Sequence, residues 1–213
     1  NLKKNKLKNK IKVVVACGNG TAGIFAPNVL REIGCEVIEL DCNLDHSFPK
    51  YNPNPEDLKM LLALSDFVKK NKADIGFAFD GDGDRLGVVD NKGKIIYADK
   101  VVAFLAKDVL LEKPNSKIII DIKSSQIVFN EIKKLKGKPF FWKTGHSLIK
   151  EKMKETKAIF AGEMSGHIFF ADKYYGFDDA IYASIRFLNF FCDSNKPLSK
   201  IFNDMEKSFN TPE

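Results

Sequence analysis

Between Phe77 and Asp90 the chain reads FAFDGDGDRLGVVD. Asp80, Asp82 and Asp84 alternate with Gly81 and Gly83, Arg85 follows, and apolar residues flank the run. Unit charges ~4 Å apart repel by about 1 kcal/mol in water and by about 4 kcal/mol at an effective dielectric of 20. Three carboxylates at this spacing therefore call for a cation among them. The glycines let the backbone curl so that alternate carboxylates converge. Oxygen-only donors suit a hard ion such as Mg²⁺. An EF-hand also opens D-x-D-x-D, but it needs Gly sixth and Glu twelfth, where this chain has Arg85 and Asn91. The bland counterpart is a solvated Asp-Gly turn, and three aspartates in register beside a strand end exceed what such a turn requires.

Other chemistry-bearing residues fall where apolar strands end. Lys123 follows KIIIDI; Lys143, Thr144, Gly145 and His146 follow PFFW; Glu163 closes AIFAGE, with Ser165 and His167 close behind. In open α/β sheets, ligands bind beyond the carboxyl ends of the strands. Parallel strands within each unit would gather these groups on one edge. Each also has a structural reading: Lys123 as a solvated lysine, His146 as a cap of the next helix, His167 as a hydrogen-bonder beside a strand.

A competing motif is GNGTAG, Gly18–Gly23, which follows a strand, opens a helix and has Asp41 at the end of the next strand. On its face this is a dinucleotide-binding fingerprint, with a pyrophosphate at the helix N-terminus and Asp41 on a ribose. Its structural reading is a tight turn from strand to helix. An NAD-dependent oxidoreductase reading leaves the acidic triplet unexplained.

The elements that must hold these residues alternate between strand-like and helix-like patterns, which predicts an α/β fold: two consecutive units with mixed, mainly parallel sheets flanked by helices. In residues 1–98 we read strand IKVVVAC, a helix from Ile24 to Ile33, strand EVIEL and a Pro/Asn-rich loop. A helix then runs from Pro55 or Glu56 through Asn71, with Leu58, Leu61, Leu62, Leu64, Phe67 and Val68 on its apolar face. Strand IGFAFD and a hairpin turning at Asn91–Gly93 follow. In residues 99–213 the order is a helix capped by Asp99, strand KIIIDI, helix SQIVFNEIKKL, strand PFFW, helix SLIKEKMKE, strands AIFAGE and HIFFAD, and closing helices DDAIYASIRFLNFF and LSKIFNDMEKSF. No internal repeat is evident by inspection.

Composition narrows the function classes. Net charge is +6, but only Arg31, Arg85 and Arg186 of the basic residues are arginine, and the lysines are spread out apart from the tail NLKKNKLKNK. Phosphate and base readers lean on the bidentate arginine fork, so no nucleic-acid partner is expected. No apolar run reaches membrane-spanning length, and no apolar h-region follows the basic tail, so neither membrane association nor secretion is expected. Cys17, Cys35, Cys42 and Cys192 lack metal-ligand spacing. We read them as buried, reduced thiols of a cytoplasmic protein.

Together these motifs resemble one family. DGDGDR resembles the metal-binding loop of the α-D-phosphohexomutases, and GEMSGH, Gly162–His167, their sugar-recognition loop. WKTGHSLIK, Trp142–Lys150, is similar to the substrate-facing segment of the phosphomannomutase/phosphoglucomutase branch, and KVVVACGNGTAG resembles the opening of that family's second domain, where it is structural. The likeness extends over nearly the whole chain.

The resemblance implies reversible phosphate transfer between the 1- and 6-positions of a hexose phosphate, through a phosphoserine and a hexose bisphosphate, with Mg²⁺. It implies Asp80, Asp82 and Asp84 as metal ligands and Arg85 on the phosphoryl group, with Glu163 and Ser165 on sugar hydroxyls. Lys123, His146 and His167 become candidates for proton transfer or phosphate contact, and Lys143, Thr144 and Gly145 for substrate binding. Met164 fits the mannose/glucose branch better than the glucosamine branch. The family's Ser-His-Asn nucleophile loop is absent, and no arginine follows Arg186 for its Arg-x-Ser-Asn-type phosphate clamp. The expectation is therefore a chain equivalent to the second and third domains only, lacking an N-terminal phosphoserine domain and a C-terminal phosphate-binding domain, and inactive alone. A non-catalytic phosphosugar-binding module is the further alternative; the intact acidic triplet argues against it.

Overall fold

The computed structural model describes residues 7, 10–194 and 196–205. Most of the basic tail, and residues 206–209 of the last expected helix, lie outside the described residues.

The first unit runs β1 (Lys12–Ala16), α1 (Ala22–Glu32), β2 (Glu36–Leu40), α2 (Leu58–Asn71), β3 (Ile75–Phe79), β4 (Leu86–Asp90) and β5 (Ile95–Ile96). Its sheet has the order β2-β1-β3-β4-β5; β1, β2 and β3 are parallel, β4 runs antiparallel to β3, and β5 runs antiparallel to β4. The second unit runs α3 (Ala98–Glu112), β6 (Lys117–Asp121), α4 (Gln126–Lys134), β7 (Lys138–Trp142), α5 (His146–Thr156), β8 (Phe160–Gly162), β9 (Ile168–Phe170), α6 (Ala180–Cys192) and α7 (Leu198–Asn203). Its sheet has the order β7-β6-β8-β9, with only β9 antiparallel. Both units thus thread β-α-β-α-β-β with the same strand order. This repeat of topology escapes inspection of the sequence because the two copies carry different residues at their strand ends.

Both faces of β1 are covered, which is why it reads as an unbroken apolar run. Val13 and Val15 pack with Ala26 and Leu30 of α1. Val14 and Ala16 point the other way, onto Met60, Leu61, Leu64 and Val68 of α2. The first of these cores continues into the second unit through α3 and α6. Phe187 lies 5.7 Å from Phe77 and 4.6 Å from Phe104, ring centre to ring centre. The two units therefore share one apolar core, which fixes their strand ends relative to each other.

Each central strand is also a switch point. The chain leaves β1 toward β2 and returns past it to β3, and it treats β6, β7 and β8 the same way. Crevices open at such points beyond the carboxyl ends of the strands, where Asp80 and Glu163 sit.

Several expected boundaries shift. Helix α1 begins at Ala22 rather than Ile24. Helix α2 begins at Leu58, because Asp57 is its N-cap and accepts from the Lys59 amide at 2.8 Å. Leu58 and Leu62 are exposed, and Met60 takes the inward position instead. Asp99 is not the cap of α3: extended Tyr97 precedes the helix, and Asp99 sits buried in the first turn. The hairpin turns as expected, with Gly93 at φ 79.

Candidate active site

Asp80 follows β3 and is 1% exposed. Its Oδ1 accepts from the amides of Gly83, Asp84 and Arg85 at 3.1, 3.0 and 3.0 Å, and its Oδ2 accepts from Arg85 Nε at 2.6 Å. Burial alone would raise this carboxyl, but the amides and Arg85 outweigh it and hold Asp80 below the usual carboxylate range. Arg85 is braced in turn, Nη1 donating to Asn54 Oδ1 at 3.2 Å. Asp84 behaves oppositely: burial, then neighbouring Asp80, pushes it up to about 6. Asp82 is exposed. One oxygen from each of the three aspartates falls within 4.8 Å of the others. The donor set fits a hard divalent cation, since every donor is oxygen and Asp84 already bears the repulsion that such an ion would relieve.

The glycine turn before α1 buttresses this loop. The amide and Oγ1 of Thr21 both donate to the Gly81 carbonyl at 2.8 Å. A Cβ on Gly20 would lie 2.8 Å from Gly81 Cα, so only glycine admits the approach. The amides of Asn19, Gly20, Thr21, Gly23 and Ile24 are all bound to backbone carbonyls, and the Asp41 carboxylate is taken by Lys50 and by the Tyr51 hydroxyl at 2.6 Å. Most of the donors, and the acid, that a dinucleotide would need are already engaged, which counts against the oxidoreductase alternative.

The second unit contributes the turn between β8 and β9. Glu163, 1% exposed, accepts from the Gly145 amide through Oε1 at 2.6 Å, and its Oε2 lies 3.1 Å from His167 Nδ1. Ser165 Oγ lies 2.8 Å from the same ring nitrogen. Asp121 at the end of β6 braces the turn, accepting from the Met164 amide at 3.1 Å and from the Lys123 amide. Burial works against a charged His167, but Glu163, Asp84 and Asp178 together hold the imidazole above the ordinary histidine value. Its Nε2 lies 3.4 Å from Asp84 Oδ1.

Backbone joins the two halves. Arg85 and His167 form an antiparallel bridge, the Leu86 amide donates to the Gly166 carbonyl at 3.1 Å, and the Ala180 amide at the start of α6 donates to the Gly83 carbonyl at 3.1 Å. Of the residues singled out from sequence, Asp80, Asp82, Asp84, Arg85, Gly145, His146, Glu163, Ser165 and His167 come together. Lys123, Lys143 and Thr144 are exposed, and their side chains join none of these contacts. Sequence reasoning missed Asn54, Asp121, Lys150 and Asp178. Asp121 offered a signal, an acid closing an apolar strand as Asp80 does; Asp178 offered only an Asp-Asp pair before a helix.

Residues 1–93 match the family model described as phosphoglucomutase/phosphomannomutase, alpha/beta/alpha domain II, and residues 97–209 match that of domain III. The chain belongs to the phosphoglucomutase/phosphomannomutase family. It is 48% identical over 206 residues to the phosphomannomutase/phosphoglucomutase of Pseudomonas aeruginosa, covering 95% of this chain and 44% of that protein. It is 45% identical over 208 residues to a phosphoglucomutase of Neisseria meningitidis serogroup A, covering 98% of this chain and 45% of the relative. A crystal structure of a phosphoglucomutase/phosphomannomutase family protein from Burkholderia thailandensis superposes with a TM-score of 0.95 at 42% identity, covering 99% of this chain and 46% of that one. The chain thus spans a little under half the length of these relatives. Among the described residues, no helix is long and apolar enough to cross a membrane.

Proposed function

We propose that this chain carries the metal-binding and sugar-recognition parts of a phosphohexomutase that interconverts hexose 1-phosphate and hexose 6-phosphate. The hexose is mannose or glucose, in keeping with Met164 and with the names of the relatives. We divide the two units at residues 98 and 99, at the very start of α3. An N-terminal phosphoserine domain and a C-terminal phosphate-binding domain complete the site, so the chain alone does not turn over. The observation that carries this reading is the bridge between Arg85 and His167, which sets the acidic loop and the Glu163–His167 turn edge to edge.

Roles follow from the geometry. Asp80, Asp82 and Asp84 would hold Mg²⁺, which when bound would supply charge neutralisation for the phosphoryl group. Arg85 uses Nε and Nη1 to fix itself, which leaves Nη2 to meet phosphoryl oxygens. Glu163 and Ser165 accept hydrogen bonds from sugar hydroxyls. Carboxylate and hydroxyl oxygens accept from many directions, which suits a bisphosphate intermediate that must bind in two orientations. His146 and His167 flank the same space and exchange protons with the reacting oxygens. Lys123, Lys143 and Thr144, exposed around this space, meet the incoming phosphosugar.

Calorimetric titration of the chain with MgCl₂, beside a turnover assay on mannose and glucose 1-phosphate, tests the reading. The expected result is saturable Mg²⁺ binding, weakened in Asp82→Asn, with no steady interconversion. Equal binding by both proteins would remove the metal assignment, and steady turnover by the chain alone would remove the claim that two further domains are needed.

A further inference from the structure

Asp178 lies between β9 and α6, its backbone bridged to Phe169. Its side chain is only 7% exposed, and Oδ1 accepts from Lys150 Nζ at 2.9 Å. Oδ2 lies 3.3 Å from His146 Nδ1 and 3.9 Å from His167 Nε2. As the rings are set, however, no donor is aligned on it among the described residues. The two imidazoles stack with centroids 5.6 Å apart and planes 15° from parallel.

His146 Nδ1 stands between two partners, because Lys150 Nζ is also only 3.2 Å away. In one tautomer Nδ1–H donates to Asp178 Oδ2. In the other, the Nδ1 lone pair accepts from Lys150 and Oδ2 keeps no donor. Lys150 has Oδ1 to bond and a side chain still 30% open to solvent, so it does not depend on the ring. A buried carboxylate oxygen without a donor bears its full desolvation penalty. His167 offers no substitute: 3.9 Å exceeds hydrogen-bond distance, and its Nε2 lies closer to Asp84, at 3.4 Å.

We propose that Asp178 is a positioning residue that holds His146 as its Nδ1–H tautomer and leaves Nε2 as the free acceptor on this half-exposed ring. What Nε2 then does rests on the phosphohexomutase reading. As the oxygen of an attacking sugar hydroxyl bonds to phosphorus and the donor's P–O bond breaks, the hydroxyl proton passes to Nε2. Asp178 touches neither sugar nor phosphate in this scheme. It acts by choosing which ring nitrogen is basic.

Long-range ¹H–¹⁵N histidine correlation spectra of the labelled chain, recorded where His146 is neutral, report the protonated nitrogen directly and require no turnover. Signals are assigned by replacing His46 and His167 in turn. The expected result is Nδ1–H at His146 in the wild type, a shift to Nε2–H in Asp178→Ala, and retention of Nδ1–H in Lys150→Met. Nε2–H in the wild type, Nδ1–H surviving in Asp178→Ala, or a switch in Lys150→Met would overturn the proposal. Should Asp178→Ala not fold, the wild-type and Lys150→Met spectra decide. A negative result leaves the mutase reading standing, since metal binding and turnover are measured separately.

Discussion

Arg85 and His167 face each other in an isolated antiparallel bridge, reinforced by the 3.1 Å hydrogen bond from the Leu86 amide to the Gly166 carbonyl. The acidic loop of the first unit and the Glu163–His167 turn of the second are therefore one backbone-linked piece. This main-chain link brings the two side chains near each other, with Asp84 Oδ1 3.4 Å from His167 Nε2.

Gly166 sits at the tightest point of this junction. Its φ is +98°, and a Cβ there would meet Leu86 O at 3.0 Å and Leu86 N at 3.2 Å. Gly166→Ala should cost about 1–3 kcal/mol through backbone strain and the displaced contact. Urea denaturation monitored by circular dichroism measures it; an unchanged midpoint would mean the junction yields freely.

Metal affinity should depend on pH through Asp84. Burial and Asp80 push this carboxyl up to about 6. Above that value Asp84 is ionised and offers its charge to the cation; below it, a proton competes. Mg²⁺ affinity is expected to be flat from pH 7 to 8 and to fall by up to about tenfold per unit below 6, ~1.4 kcal/mol for each tenfold. Titrations at pH 5.0, 6.0 and 7.5 test this, and equal affinity throughout would contradict it.

Arg186 ties the second unit together from inside. Its side chain is 10% exposed, bonding Asp108 Oδ2 through Nε at 2.8 Å and Asp172 Oδ1 through Nη1 at 3.0 Å, with Asp172 itself 2% exposed. Arg186→Met keeps an unbranched apolar stem but strands two acids, for an expected loss of about 3–5 kcal/mol. A loss below 1 kcal/mol in chemical denaturation would show that water reaches the acids.

The cysteines should be inert in the folded chain. All four are buried and outside any disulfide, and burial lifts the Cys35 thiol to about 12, leaving almost no thiolate at pH 8. Thiol titration with a chromogenic disulfide is expected to be negligible natively and to reach all four in denaturant. Fast native labelling would place a cysteine at the surface.

Much of this was legible from the residues. Strands such as KVVVA and KIIID announce themselves because both faces are buried, and Asp80, Glu163 and His167 stand out as polar groups where apolar runs stop. What stayed hidden depends on the third dimension. Asp178 and Lys150 become neighbours only because α5 and the loop before α6 pack side by side. The role of Gly20 appears only when Gly81 is seen against it. Leu58 and Leu62 turn outward because they lie beside, not on, the face that Met60, Leu61, Leu64 and Val68 present to the sheet. The likeness of the two threadings is a property of hydrogen-bonded strand order, which no pairwise spacing reveals.

The most direct measurement is made in a chimera. The 206 matched residues of the Pseudomonas aeruginosa phosphomannomutase/phosphoglucomutase are replaced by those of this chain, and interconversion of mannose 1-phosphate and mannose 6-phosphate is followed by phosphorus NMR. A working mutase is expected, its turnover falling by at least about a hundredfold in Asp84→Asn, which removes a ligand of the ion that would neutralise the transferring charge. A folded chimera with no turnover, or one whose rate ignores Asp84→Asn, would contradict it.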